Sequence, residues 1–143
     1  MSKNGKQAGS KPAAVASVVA KEAADARDVV AAVVRAAFKS DGHGGGTLQL
    51  RYTGELAGFD TVWVRLGERR HGADWLDVRD VRMERSDGQA IAKIQLQPGE
   101  PVEGASFAFF ATQKDQADPT WDNAGHPFGC YVLDAQSGAV RSR

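Results

Sequence analysis

The feature that most constrains the fold is an alternation of apolar and polar residues that begins at Thr47. In the first run, Leu48, Leu50 and Tyr52 alternate with polar residues, which is the pattern of a β-strand with one buried face. Further short runs follow, separated by turns that contain glycine or proline, at residues 62–66, 78–84, 91–96, 106–111 and 131–133. Short strands at regular spacing, with no helical insert, predict an all-β domain over residues 47–143, an immunoglobulin-like antiparallel β-sandwich.

The chain before this domain differs in composition and predicts three further segments. Residues 1–12 are rich in Lys, Gly, Ser, Asn and Gln, which predicts a disordered tail. Residues 13–40 are rich in Ala and Val and lack Gly and Pro, which predicts a helical or partly disordered segment. Residues 41–46, D-G-H-G-G-G, predict a flexible linker. A helix on such a linker must bury its apolar side through self-association, on a partner protein or against the following domain.

Charge and hydropathy argue against several functional classes. Lys and Arg number 18, as do Asp and Glu, so the chain has no general attraction for nucleic acid or for an anionic membrane. No apolar run is long enough to cross a bilayer. The first residues lack the apolar core and cleavage site of a secretory signal, which predicts a cytoplasmic protein. The single cysteine, Cys130, cannot form an internal disulfide.

The alternation also predicts which side chains of the second strand face solvent. If Val62, Val64 and Leu66 point into the sandwich, Trp63 and Arg65 point outward. An exposed tryptophan beside an exposed arginine on a rigid sheet is more typical of a binding surface than of a plain scaffold.

The other two tryptophans lie in predicted loops. Trp75 follows His71 in E-R-R-H-G-A-D-W, and Trp121 lies in P-T-W-D-N-A-G-H-P-F-G-C-Y, where the turn-forming residues predict a surface turn. An indole beside the hydrogen-bonding groups of Asp122 and Asn123 suits a sugar ring, which has C–H groups on one face and hydroxyls at its rim. The alternative is a tryptophan that folds back and caps the core.

Four segments together resemble a known family. The strand V-W-V-R-L-G, the loop and strand W-L-D-V-R-D-V-R-M-E, the strand F-A-F-F and the closing W-D-N-A-G-H-P-F-G-C-Y-V-L occur in this order. This combination resembles the starch-binding carbohydrate-binding modules of the family 25 and family 53 type, over residues 48–134. The resemblance implies an immunoglobulin-like sandwich that binds α-1,4-linked glucan, as polysaccharide or maltooligosaccharide, with no catalysis of its own.

The resemblance also implies roles for individual residues. Trp75 and Trp121 match the two tryptophans that form a bent platform in that family. Asp122 and Asn123 match the polar pair of the closing motif. Tyr131 matches its final tyrosine, for which a structural role is expected.

Some positions depart from the family pattern. Arg65 stands where the family has a histidine on a strand, so either His71 in the following loop or Arg65 itself is expected to contact sugar hydroxyls. Ala124 replaces the second asparagine of the closing motif, and Cys130 replaces the asparagine before its tyrosine. Trp63 either joins the site or packs against the N-terminal segment. These departures leave the affinity and the preferred chain length open.

The sequence contains no motif of an enzyme. It has no G-x-S-x-G, no phosphate-binding loop and no H-E-x-x-H, and its histidines and cysteine match no usual metal-site spacing. The acids near the tryptophans, Asp74, Asp77 and Asp122, are predicted to be a polar rim rather than a hydrolase pair. We therefore expect a non-catalytic protein without a cofactor. An alternative from another class is an immunoglobulin-like protein-interaction or targeting module with no sugar ligand, in which the tryptophans form the docking patch.

Overall fold

Alternating strands build two antiparallel sheets in the computed structural model, which describes residues 33–125 and 129–143. The first sheet has the order β1-β2-β6-β5 and contains β1 (Val34–Ser40), β2 (Gly46–Tyr52), β5 (Glu84–Ser86) and β6 (Gln89–Leu96). The second has the order β10-β9-β7-β3-β4 and contains β3 (Thr61–Arg70), β4 (Ala73–Arg82), β7 (Val102–Thr112), β9 (Tyr131–Asp134) and β10 (Val140–Ser142). The short strand β8 (Thr120–Asp122) also pairs with β7, and one turn of 3-10 helix spans Glu55–Gly58. The two sheets pack together, so the predicted all-β sandwich is confirmed.

The core lies between the two sheets and follows from the period of two. On β3, Val62, Val64 and Leu66 are fully buried, as the alternation predicts. The largest of their buried partners come from β2 and β7: Leu48, Leu50, Tyr52, Phe107 and Phe109. Burial of each such side chain contributes about 1.5–3 kcal/mol of transfer free energy, so this interface is the main source of stability.

The predicted helix over residues 13–40 is wrong for its last part. Residues 13–32 lie outside the described residues, but Val34–Ser40 form β1, which pairs along its whole length with β2. Val34 is buried and Phe38 is partly buried against the core. Helix propensity is a weak preference, and here the pairing with an alternating strand overrides it.

The predicted linker at residues 41–46 is instead the loop of a hairpin between β1 and β2. An Asp41 carboxylate oxygen accepts hydrogen bonds from the backbone N–H groups of His43 at 2.6 Å and Gly45 at 3.2 Å. Gly42 and Gly44 adopt positive φ angles of 81° and 95°, which glycine allows at little cost. The glycines therefore close a tight turn within the sandwich and do not separate two domains.

No helix in the described ranges is long and apolar enough to cross a membrane.

Candidate functional site

Three aromatic side chains form a row on the outer face of the second sheet, the face that points away from the core. In the register of the strands, Trp63 on β3 lies opposite Phe110 on β7, and Phe110 lies opposite Trp121 on β8. The Trp63 and Phe110 rings are 6.0 Å apart and nearly parallel, at 3°. The Phe110 and Trp121 rings are 4.7 Å apart at 33°. We call these three residues the aromatic row.

Arg65 lies two residues along β3 from Trp63 and covers part of the aromatic row. Its guanidinium carbon is 5.6 Å from the centre of the Phe110 ring and 5.1 Å from that of Trp121, within the range of a cation–π contact. Its Nε and Nη2 donate to the two carboxylate oxygens of Asp80 at 2.7 and 3.0 Å. This hydrogen-bonded pair raises the pKa of Arg65 and lowers that of Asp80 from their ordinary values. Both groups are therefore charged at neutral pH.

The short strand β8 differs from the predicted surface turn. Residues Thr120–Asp122 pair with β7 in antiparallel register, so the turn-forming composition around Trp121 did not prevent a strand here. Neighbouring side chains on a strand point to opposite faces. Trp121 consequently lies on the outer face, 37 % exposed, whereas Asp122 points toward the inside of the sandwich.

Asp122 is held by two tyrosines from the core. Its Oδ2 accepts a hydrogen bond from the Tyr52 hydroxyl at 2.6 Å, and its Oδ1 accepts one from the Tyr131 hydroxyl at 2.8 Å. Oδ1 also accepts from the backbone N–H of Ala124 at 3.0 Å. Burial, together with the neighbouring carboxylate, raises the pKa of both tyrosines well above the ordinary value. Asp122 thus anchors β8 to the core and does not share the face of Trp121. Asn123 follows β8 and is half-buried.

Trp75 lies on the outer face because of an irregularity in β4. The register between β3 and β4 shifts twice after Leu66, and Trp75 lies in the second shift with a positive φ of 55°. A Cβ atom on Gly67 would lie 2.6 Å from Cε3 of Trp75, so only glycine fits beneath the ring. Gly67 has the same strand parity as Trp63 and Arg65. Trp75 therefore shares their face, and its side chain is 37 % exposed.

Strand geometry separates the two tryptophans that were predicted to form the platform. Gly67, beneath Trp75, is four residues along β3 from Trp63, which corresponds to about 13 Å. Trp121 lies two strands away from β3, which adds about 10 Å in the perpendicular direction. The backbone positions are therefore about 16 Å apart. Trp75 and Trp121 therefore lie apart from each other on one face of the sheet.

His71 is not placed against the aromatic row. It lies at the turn between β3 and β4, with a positive φ of 52°. There it lines a surface depression together with Arg70, Leu76 and Pro98. Leu76 pairs with the buried Glu68, so this depression belongs to the opposite side of the hairpin from Trp75. Arg65 and His71 were the two candidates for contacts with sugar hydroxyls. Only Arg65 lies beside a tryptophan, Trp121.

Sequence reasoning missed two members of this face, Phe110 and Asp80. The same alternation would have found both. With Phe107 and Phe109 buried on β7, Phe110 must point outward, and with Val81 directed inward on β4, Asp80 must point outward. Their contacts with Arg65 and Trp121 could not be deduced, because they depend on the order of strands in the sheet.

A second polar region lies beside Trp75 on the same face. Asp74 accepts a hydrogen bond from Nη2 of Arg143 at 2.8 Å, which lowers the pKa of Asp74. Its other oxygen, Oδ1, is buried and accepts no hydrogen bond from the described residues, and Nε of Arg69 is 3.5 Å away. Within the ranges that the structure describes, no group of three or more His, Cys, Asp or Glu side chains could hold a metal ion.

Comparisons with known proteins identify no relative. No protein-family model matches the chain, and neither a curated protein nor a solved structure matches it significantly. The likeness to starch-binding modules therefore rests on the sequence motifs described above.

Proposed function

We propose that the outer face of the second sheet binds α-1,4-linked glucan, as polysaccharide or maltooligosaccharide, without catalysis. The observation that carries this proposal is the position of Trp121. Its exposed indole is supported by Phe110 and contacted by Arg65 on the surface, while the next residue, Asp122, anchors its strand to the core. A rigid aromatic surface with hydrogen-bond donors beside it is what the apolar face and hydroxyl rim of a glucose unit require.

Arg65 supplies donors to this surface. A guanidinium group carries five N–H bonds, and Asp80 accepts two of them. The remaining N–H groups make no hydrogen bond with the described residues, so they are available to sugar hydroxyls beside Trp121. The ion pair with Asp80 keeps the guanidinium in place, which reduces the entropy cost of binding.

The expected affinity is modest. Stacking of one sugar ring on an indole buries roughly 100 Å² of apolar surface and contributes about 2 to 3 kcal/mol. Each hydroxyl hydrogen bond exchanges with water and adds about 1 kcal/mol. After the costs of association, two tryptophan contacts and a few hydrogen bonds correspond to dissociation constants from micromolar to millimolar.

A second candidate function, docking of a protein, has its own supporting observation. Three of the four exposed large apolar side chains in the described residues lie close together on β4: Trp75, Leu76 and Val78. β4 is an edge strand of the second sheet, and exposed apolar residues on an edge are typical of protein-binding surfaces. The protein-docking hypothesis depends on the edge of β4, whereas glucan binding depends on the outer face.

Native affinity electrophoresis distinguishes the two functions. The full chain is run in gels with and without glycogen or amylopectin, together with Trp75→Ala, Trp121→Ala and Leu76→Ala. Leu76→Ala is the matched control, because Leu76 is next to Trp75 and equally exposed, at 37 %, but belongs to the other side of the hairpin.

Glucan binding predicts that the wild type and Leu76→Ala are retarded by the polysaccharide, and that both tryptophan variants lose most of the retardation. Loss of one ring contact removes about 2 kcal/mol, which corresponds to a roughly 30-fold weaker affinity. A wild type that migrates identically in all gels removes glucan as the ligand and favours protein docking.

A further inference from the structure

A cavity opens at the end of the sandwich, next to the proposed glucan-binding face. It has a volume of about 770 Å³, which lies within the range of about 300–1,000 Å³ that is usual for small-molecule sites. Phe38 and Val102 supply apolar lining, and four charged residues line it as well: Arg69, Glu103, Asp134 and Arg141.

The register of the strands connects this cavity to the outer face. Gly67 pairs with Ser106, Ser106 with Val132, and Val132 with Arg141, so these residues form one row across four strands. Three strand spacings separate Gly67, beneath Trp75, from Arg141, a distance of about 14 Å. Ser106 and Val132 in this row are buried, and the Asp74–Arg143 pair lies beside Trp75. A ligand that extends beyond Trp75 therefore has to pass over this covered surface to reach the cavity.

The arginines of the cavity have unused hydrogen-bond donors. Arg69 makes only long ion pairs, with its Nε 3.5 Å from Asp74 and 3.9 Å from Glu103. The side chain of Arg141 forms no ion pair or hydrogen bond within residues 33–125 and 129–143, although its backbone pairs with β9. A guanidinium group has five N–H donors, so both side chains present donors to the cavity or its rim.

The carboxylates retain acceptor capacity in the same way. One oxygen of Glu103 accepts from the backbone N–H of Gly72 at 3.0 Å. One oxygen of Asp134 accepts from the backbone N–H groups of Gln136 at 2.8 Å and Ser137 at 3.3 Å. The second oxygen of each carboxylate accepts no hydrogen bond from the part of the chain that the structure describes.

The balance of charge defines the class of ligand. Two arginines and two carboxylates give a net charge of zero, so the cavity favours neither an anion nor a cation. Donors next to acceptors match vicinal hydroxyl groups, since each hydroxyl both donates and accepts. The apolar lining by Phe38 and Val102 matches the C–H surface of a sugar ring.

We infer that this cavity is a second sugar subsite, which holds a further segment of the same neutral glucan through Arg69, Arg141, Glu103 and Asp134. This inference rests on the proposed glucan binding. Its consequence is a preference for longer chains, because the backbone positions of Trp121 and Arg141 are about 14 Å apart: about 13 Å along β7 and one strand spacing across it.

Isothermal titration of the full chain with maltotriose and with maltoheptaose tests the subsite. The variants are Arg141→Ala and Arg69→Gln, with Arg51→Ala as the matched control. Arg51 is an exposed strand arginine of the first sheet and lies outside the cavity. Urea unfolding of each variant shows that the fold is retained.

The subsite predicts that wild type binds maltoheptaose more tightly than maltotriose, and that either cavity variant weakens maltoheptaose binding about fivefold, as expected for loss of one or two hydrogen bonds. The cavity variants bind maltotriose as tightly as the wild type does. The Arg51→Ala control binds both sugars as tightly as the wild type does. The inference is overturned if both sugars bind the wild type but the cavity variants leave maltoheptaose binding unaltered, or if millimolar inorganic phosphate saturates the cavity. Absence of binding of either sugar to the wild type overturns the proposed function itself, and the subsite with it.

Discussion

The two faces of β8 differ in how their polar groups are used. On the inner side, the carboxylate of Asp122 accepts three hydrogen bonds, two of them from the buried hydroxyls of Tyr52 and Tyr131. On the outer side, the ring of Trp121 is exposed, and the guanidinium of Arg65 above it retains free donors. Adjacent residues of one short strand thus differ in role: Asp122 is a structural anchor, and Trp121 belongs to the surface for which we propose a ligand.

This difference changes the interpretation of the motif W-D-N. Sequence reasoning placed Trp121, Asp122 and Asn123 together at the rim of a binding site. The strand geometry separates Asp122 from Trp121, because the side chains of β8 alternate between the faces, and Asn123 lies beyond the end of β8. Substitution of the anchor should therefore reduce stability, whereas substitution of the exposed ring should reduce binding.

The largest expected effect follows from removal of the anchor. Asp122→Ala leaves the buried hydroxyls of Tyr52 and Tyr131 without their acceptor, and hydrogen bonds to a charged group contribute about 1.5–3 kcal/mol each. We expect the free energy of unfolding to fall by about 3 to 5 kcal/mol, measured by urea denaturation. Asp118→Ala is the control, because Asp118 is exposed in the loop that precedes β8, and its effect should be within about 0.5 kcal/mol. Equal unfolding midpoints for both variants would contradict a structural role for Asp122.

A smaller effect is expected from alkaline pH. The pKa values of Tyr52 and Tyr131 are raised in the folded protein, so folding favours their neutral forms. This contribution to stability is fully present below the unfolded-state pKa of about 10 and is lost as pH rises above it. For each tyrosine, the free energy of unfolding should fall by about 1.4 kcal/mol per pH unit in this range.

The control for the alkaline effect is replacement of the hydroxyls. Tyr52→Phe and Tyr131→Phe remove the titrating groups but keep the rings, so the double variant should show a shallower loss of stability above pH about 10. Urea unfolding at a series of pH values measures both proteins. Identical slopes would show that the tyrosines do not titrate differently in the folded and unfolded states.

The regular part of the fold could be predicted from sequence because strand alternation is a local property. The alternation of Val62, Val64 and Leu66 gave both the strand and its buried face, and with them the outward positions of Trp63 and Arg65. The strand Val34–Ser40 could not be predicted in this way. Its Ala-rich sequence favours a helix locally, and only the pairing with β2 makes it a strand.

The composition of the site was less predictable, because it depends on contacts between strands that are distant in the sequence. That Trp121 contacts Phe110 and Arg65 depends on β8 and β3 flanking β7, which is a property of topology. That Trp75 lies over Gly67 depends on a register shift between β3 and β4. Neither feature has a local sequence signal beyond the presence of glycine.

Titration of the wild type and of Trp121→Ala with maltoheptaose, followed by tryptophan fluorescence, shows whether the outer face binds α-glucan through Trp121. A β-1,4-linked glucose oligomer of similar length serves as the control ligand. We expect a saturable change for the wild type with maltoheptaose only, with a dissociation constant between micromolar and millimolar, and a roughly 30-fold higher dissociation constant for Trp121→Ala. No response of the wild type at millimolar maltoheptaose, or an undiminished response of Trp121→Ala, would contradict glucan binding through Trp121.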